Sequence, residues 1–353
     1  MYVRQFQKGE VAMSPTCSIG KLLGKLHCHG VLGLGGKSKI ADADLIHQIK
    51  FPFESCYKHL KQLIDELNAT DSKSENSLIE LESNKVISFL KSNKDFLRCS
   101  QRHIENIVNP PFETASLVHF DTHIRNILVK SDVKWNNDID ENEEFDEFCT
   151  KLIDMEFSNW GPAGADLGIF IASAYFYSLA HACLNNLENS QSTVNTIFSL
   201  WSNYCKARFD FAKKNDIKMP YVLKSLFFIA YETLGWAGAW IWRLTREQVF
   251  HRFVVTKYFY FLGIENKKIL VNICNKSGEN GLDVLRNKLR LLSAELMVMG
   301  FGDVSSQKIM NIDEDTLTIE SCNEVIASMI QKIALAREEL RNEFIAMQNI
   351  IIN

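Results

Sequence analysis

The sequence predicts an α+β fold that is predominantly helical, with one small β element near the middle of the chain. Three observations predict it. Apolar residues recur at helical spacing through the first hundred residues; short β-like runs cluster between Ala115 and Asp154; and helical periodicity resumes after Gly161-Pro162 and lasts almost to the C-terminus.

Within Ser18 to His27, residues Ile19, Leu22, Leu23 and Leu26 fall at i, i+3, i+4 and i+7, which marks one face of a helix ending near Gly30. The same period returns over 56–67 and 78–90 with charged residues on the opposite faces. Residues 116–119, 126–130 and 151–154 read as three short strands around a polar loop. Between the second and third, residues 131–148 hold eight acidic residues and one lysine, a solvated insertion. A calcium loop would need a glycine at its sharp turn, and the segment has none. Later helices are expected to break near 185–192, 215–220, 277–281 and 300–306. The final run, 321–352, reads as a long amphipathic helix that either packs across the molecule or forms a homodimer contact.

A chain of 353 residues with 46% apolar side chains can bury a substantial core. Its net charge of −4, from 39 basic and 43 acidic residues, gives no basic footprint for nucleic acid. The nine cysteines are scattered, without a C-x-x-C pair or zinc-type histidine spacing, and so read as reduced thiols of a cytoplasmic protein. The N-terminal residues show no apolar core of a secretory signal. Two apolar stretches, Ile169–Leu184 and Ser225–Trp242, are candidate membrane spans by their hydropathy. The first has only 16 residues and the second contains Glu232, so both are expected to be buried core helices.

The chemistry concentrates in His119, Asp121 and Asn126, followed 28 residues after Asn126 by Asp154 and Glu156. Phosphoryl transfer asks a protein for a group that orients and deprotonates the attacking hydroxyl, and for oxygen ligands to magnesium. An aspartate and an asparagine five residues apart on one loop, then an acid at a strand end, supply both. In this reading Asp121 is the catalytic base, and Asn126, Asp154 and Glu156 hold the metal. His119 fixes the loop through its ring nitrogens. The simpler alternative is that Asp121 and Asn126 make an Asx-type turn and Asp154 ends a strand.

The run VHFDTHIRNILV (118–129) resembles the H-G-D-x-H-x-x-N-I-L-V catalytic loop of aminoglycoside phosphotransferases and choline kinases. LIDMEFSNWGPAGADLG (152–168) is similar to methylthioribose kinases, which carry D-x-E followed by G-P-x-G-x-D-x-G. The resemblance implies a protein-kinase-like C-terminal lobe with its small β element at the catalytic loop, ATP as co-substrate and Mg2+ as cofactor. The acceptor it implies is a hydroxyl of a small metabolite, 5-methylthioribose of methionine salvage being the first choice. It makes Asp166 a structural carboxylate bracing the loop. Phe120 departs from the family's glycine, and Asn126 stands where methylthioribose kinases often have serine. A weaker similarity, ETLGWAGAWIWR (232–243), implies substrate binding by Arg243 with Trp242 beside it; the alternative is an arginine lying over the aromatic cluster Trp236, Trp240 and Trp242.

SIGKLLGKLH (18–27) resembles the helix that follows the hinge in the same family. Residues 1–17 are then a short remnant of hinge or N-lobe, 18–300 the C-lobe with the insertion 131–148, and 301–353 a helical extension. Seventeen residues cannot build the family's nucleotide-covering sheet, so weak MgATP binding is expected of the chain as written. VLGLGGKS (31–38) falls short of a Walker phosphate loop because valine occupies the first glycine position. The competing function is that of a catalytically impaired binding protein of the same fold, and choline or aminoglycoside acceptors are the alternatives to the thiosugar.

Overall fold

The computed structural model describes residues 13–28, 95–129, 150–245, 281–302 and 316–352, with short stretches and single positions between Phe6 and Ser92 and at Ile312 and Asp313. Seven helices are named in chain order: α1 (Met13–Cys28), α2 (Asp95–Val108), α3 (Gly164–Cys183), α4 (Leu187–Lys214), α5 (Met219–Leu244), α6 (Gly281–Phe301) and α7 (Ile319–Ile352). Among the described residues between α2 and α3 there are four short strands: β1 (Ala115–Val118), β2 (Ile127–Val129), β3 (Thr150–Leu152) and β4 (Asn159–Pro162). The result is a predominantly helical α+β architecture with two small two-stranded sheets.

The core is organised around α3. All twenty of its residues are buried, against α5 and α4 with α7 crossing outside. Its apolar residues run all round the helix, as a helix with no solvent face requires. Helix α1 packs along α4, α6 along α5, and α2 against α6. The α3–α5 contact is close because α3 presents glycine there. A methyl group at Gly168 would lie 2.6 Å from Trp236 Cβ and 2.7 Å from the Ala237 amide nitrogen. The two apolar stretches fall in α3 and α5, where nearly all of their residues are buried. Among the described residues no helix is long and apolar enough to cross a membrane. Six cysteines are described, all buried thiols; burial pushes Cys183 and Cys322 up to about 12.

The β element comprises two antiparallel pairs. β1 pairs with β4, Ala115 opposite Pro162 and Val118 opposite Asn159; β2 pairs with β3, Ile127 opposite Leu152. Strand β4 departs from the sequence reading, which took Gly161-Pro162 as a turn into the next helix. Proline lacks an N–H, but Pro162 closes the strand's end in a two-stranded sheet, where its missing donor interrupts no inner ladder. Helix α1 begins at Met13, ahead of the expected Ser18, and α2 was not delimited by the periodicity. The chain turns at 184–186, at the start of the break expected over 185–192, whose later residues are already in α4, and at 215–218, inside the break expected over 215–220. The insertion 131–148, the candidate phosphate loop 31–38 and most of the helices expected over 56–67 and 78–90 lie outside the described residues.

Candidate active site

The loop His119–Asn126 leaves β1 through a sharp turn at Phe120, whose φ of 61° is left-handed. A side chain in that region costs roughly 1–2 kcal/mol, which glycine avoids. Phe120 offsets this by burying its ring, 5% exposed, against Trp236 at a centroid distance of 5.7 Å and against the backbone of Gly161. Full burial of a phenylalanine contributes about 1.5–3 kcal/mol, so the bulky residue can hold a glycine's conformation.

Asp166, in the first turn of α3 and fully buried, anchors the turn from below. Its Oδ2 accepts the His119 amide and its Oδ1 the Phe120 amide, each at 2.8 Å. Oδ2 also meets His27 Nε2 at 3.0 Å, and His27 Nδ1 lies 3.0 Å from the Tyr204 hydroxyl. Burial lowers the His27 pKa more than Asp166 raises it, so the imidazole is neutral and this contact is a hydrogen bond rather than an ion pair. With Nε2 donating to the carboxylate, Nδ1 is the acceptor for Tyr204. Arg208, 2% exposed, closes the network by donating to Ser225 Oγ at 2.7 Å and to the His27 carbonyl at 3.4 Å.

Inside the loop, both His119 ring nitrogens are used. Nδ1 accepts the Asp121 amide at 3.2 Å, which leaves Nε2 to donate to the Ile153 carbonyl at 2.9 Å. Asn126 Nδ2 donates to Asp121 Oδ2 at 2.9 Å and to the Asp121 carbonyl at 3.0 Å. His123 Nε2 stands 3.6 Å from the same Oδ2. Among the described residues nothing donates to Asp121 Oδ1 or to Asn126 Oδ1, so each keeps a lone-pair face for a ligand. The Ile153 amide donates to the Asn126 carbonyl at 2.9 Å, which extends the β2–β3 ladder by one step and delivers Asp154 beside the loop. Asp154 is itself left-handed, φ 66° and ψ 54°, and its side chain makes no capping bond; Glu156 follows in a single 3-10 turn. Both carboxylates are exposed. Of the four non-glycine residues with positive φ among the described residues, Phe120 lies in this loop and Asp154 directly after Ile153, which meets it, while Asn185 and Asp216 follow helix ends.

Among the described residues no cluster of three or more His, Cys, Asp and Glu side chains is close enough to hold a metal ion. The exposed carboxylates of Asp154 and Glu156 and the amide oxygen of Asn126 are hard oxygen donors of another kind. They suit Mg2+, which keeps several waters and usually takes one or two carboxylates together with substrate phosphates. A cavity of about 510 Å3 opens between Leu22 and Leu26 of α1 and residues Thr150–Leu152; its lining includes Met155 but none of the loop's polar groups. Trp242 is buried against Phe96 with centroids 5.5 Å apart, and the Arg243 guanidinium lies 4.5 Å over the Trp240 ring and 5.5 Å from that of Phe53. Hydrogen bonds thus join His119, Asp121, Asn126 and Asp166, and Asp154 and Glu156 follow Ile153, whose amide meets the Asn126 carbonyl. Arg243 stands seven residues along α5 from Trp236, about 10 Å of helix from the residue touching Phe120.

Sequence reasoning assigned no role to His27, Tyr204, Arg208 or Glu232. The last is a buried acid in a helix that is otherwise almost entirely apolar or small, which is the signal that could have singled it out. The sequence matches no protein-family model, and no curated protein matches it.

Proposed function

We propose that the chain is a phosphotransferase of kinase-like architecture that moves the γ-phosphoryl group of ATP to a hydroxyl of a small metabolite. The observation that carries this reading is the joined unit of Asp121, Asn126 and Asp154. A carboxylate is held by an asparagine 2.9 Å away, and that asparagine's backbone is hydrogen-bonded to the residue preceding a second, exposed carboxylate. Asp121 Oδ2 is fixed by Asn126, so Oδ1 is presented to accept the proton of the attacking hydroxyl. Asn126 Oδ1, Asp154 and Glu156 would hold Mg2+. When bound, the ion neutralises charge on the nucleotide phosphates. His119 and Asp166 keep the loop in its left-handed turn. Leu128 and Met155, both exposed, lie in sequence next to these polar groups and provide apolar surface for a nucleotide base. Trp242 and Arg243 are not needed for this reading.

The test is calorimetric and kinetic. MgATP binding is measured for the parent, Asp121→Asn and Asp154→Ala, and ADP release is followed with 5-methylthioribose, choline and kanamycin as acceptors. Asp121→Asn should lower turnover by about 10²–10⁴-fold while binding MgATP as the parent does, and Asp154→Ala should weaken the magnesium-dependent part of binding. Turnover fastest with choline would replace the thiosugar. Unchanged MgATP affinity in Asp154→Ala would overturn the metal assignment. An absence of any nucleotide response in the parent would favour the binding-protein reading.

A further inference from the structure

Helix α3 begins without a capping side chain of its own, since Ala163 occupies its N-cap position. The first backbone N–H groups of a helix need acceptors from elsewhere. The Ala163 amide finds the Thr114 carbonyl at 3.0 Å, and the Gly164 amide finds Glu232 Oε2 at 3.3 Å, reached from α5. The other oxygen of the same carboxyl, Oε1, lies 2.6 Å from the Thr114 hydroxyl, immediately ahead of β1. Glu232 is 5% exposed, and its Cβ fills the space that a side chain at Gly164 would occupy. One buried carboxyl therefore ties three pieces together: the start of β1, the first turn of α3, and α5.

Two residues beyond Gly164, the same turn of α3 carries Asp166, which holds the His119 and Phe120 amides at the far end of β1. β1 is thus stapled to the first turn of α3 at both ends, by Glu232 before the strand and by Asp166 after it. We propose that Glu232 is a positioning residue for the loop, fixing the first turn of α3 against the start of β1 and so setting where Asp166 holds the His119–Phe120 turn. The placement is independent of any reaction; its consequence for phosphoryl transfer rests on the function proposed above.

Glutamine can replace Glu232 without breaking the staple. Its carbonyl oxygen accepts the Gly164 amide, its NH2 donates to Thr114 Oγ1, and Thr114 turns its own proton to the Pro111 carbonyl, 3.3 Å away. Alanine leaves the Gly164 amide without its acceptor and cuts the Thr114 hydroxyl off from α5, with only the Pro111 carbonyl left to it. The experiment is amide hydrogen exchange on the full chain, comparing the His119 and Phe120 amides with reference amides of α4 such as Leu200 and Trp201, which report global opening. In Glu232→Ala the two loop amides should exchange at least about tenfold faster relative to the α4 reference, and in Glu232→Gln they should stay within about threefold of the parent. Loop and α4 amides accelerating in step in Glu232→Ala would reduce Glu232 to a general stabiliser and overturn the proposal, as would unprotected loop amides in Glu232→Gln. Thr114→Val, which removes only the hydroxyl half of the staple, is read by the same ratio if the alanine variant does not fold. The exchange ratio needs no nucleotide, so failure of the kinase reading and failure of this one are separately visible.

Discussion

The ring of Phe120 occupies the space that a side chain at Gly161 would need. A methyl group there would lie 2.9 Å from Val118 Cγ2 and closer still to the ring of Phe120. The absent side chain on β4 and the bulky one in the loop are two halves of one packing solution, since the left-handed turn is tolerable only because the ring has somewhere to go.

A double-mutant cycle should expose this dependence. Gly161→Ala overpacks the strand and is expected to lower stability by about 1–3 kcal/mol. Phe120→Gly forfeits the buried ring but relieves the strained turn. Once Gly161 is alanine, removing the ring also removes the clash, so the double variant should be more stable than the two single losses added together, by at least about 0.5 kcal/mol in denaturant unfolding. Simple additivity would mean that the two residues do not share the space.

Burial pushes the Glu232 carboxyl up to about 8, against the hydrogen bonds from Thr114 and Gly164 that pull it down, and with a smaller upward push from Glu113. In the unfolded chain it titrates near 4.3. The folded state therefore keeps a proton that the unfolded state has released, and stability falls as pH rises from about 4.5 to about 8, by up to roughly 1.4 kcal/mol per unit. Glu232→Gln should abolish this slope. Between pH 5 and 7.5 the parent is expected to lose on the order of 2–4 kcal/mol more than the variant. Parallel stability curves would show that Glu232 is ionised in the fold.

His103 should act in the opposite direction. It lies among the rings of Trp236, Phe53 and Phe301, with centroids at 4.3, 4.7 and 5.5 Å, and burial pushes its imidazole down to about 3. The unfolded histidine takes up a proton below about 6.5 while the folded one does not. Its contribution is thus complete above pH 6.5 and is lost as pH falls towards 3. His103→Phe should lose about 2 kcal/mol less than the parent between pH 7 and pH 5. Some acid sensitivity will persist in the variant, because burial also lowers His27 and His181.

How much of this was legible beforehand depends on the range of the interactions. The helical bulk, α1 and the breaks before α4 and α5 could be read because 3.6-residue periodicity is a local signal. The loop could be read because Asp121 and Asn126 are five residues apart and Asp154 lies at a strand end. The supports could not. His27 meets Asp166 across 139 residues and Thr114 meets Glu232 across 118, and nothing near either residue announces its partner. Strand β4 was hidden by Gly161-Pro162, whose turn chemistry outweighed four residues of extended chain. Helix α5 is apolar on nearly every face, so periodicity could not say whether Trp242 and Arg243 face a site or a core.

The Asp121–Asn126 pair yields a charge test of the site itself. Asn126 Nδ2 donates to Asp121 Oδ2 at 2.9 Å. In Asn126→Asp an oxygen replaces that donor, and two carboxylates then share the loop. Two such groups cannot both ionise freely at that distance, so the pair takes up a proton at a pH above the usual carboxylate range. The unfolded variant releases both protons near pH 4, which makes the folded variant lose stability as pH rises from about 4 through the raised value. Asn126→Ser also removes the donor but adds no charge, and its loss should be nearly the same at every pH. Unfolding free energies at pH 4 and pH 7 separate the two effects: the deficit of Asn126→Asp relative to Asn126→Ser should be about 1–3 kcal/mol larger at pH 7. An equal deficit at the two pH values would mean that Asp121 does not face residue 126 in solution. The loop would then lack the fixed carboxylate on which the proposed proton transfer depends.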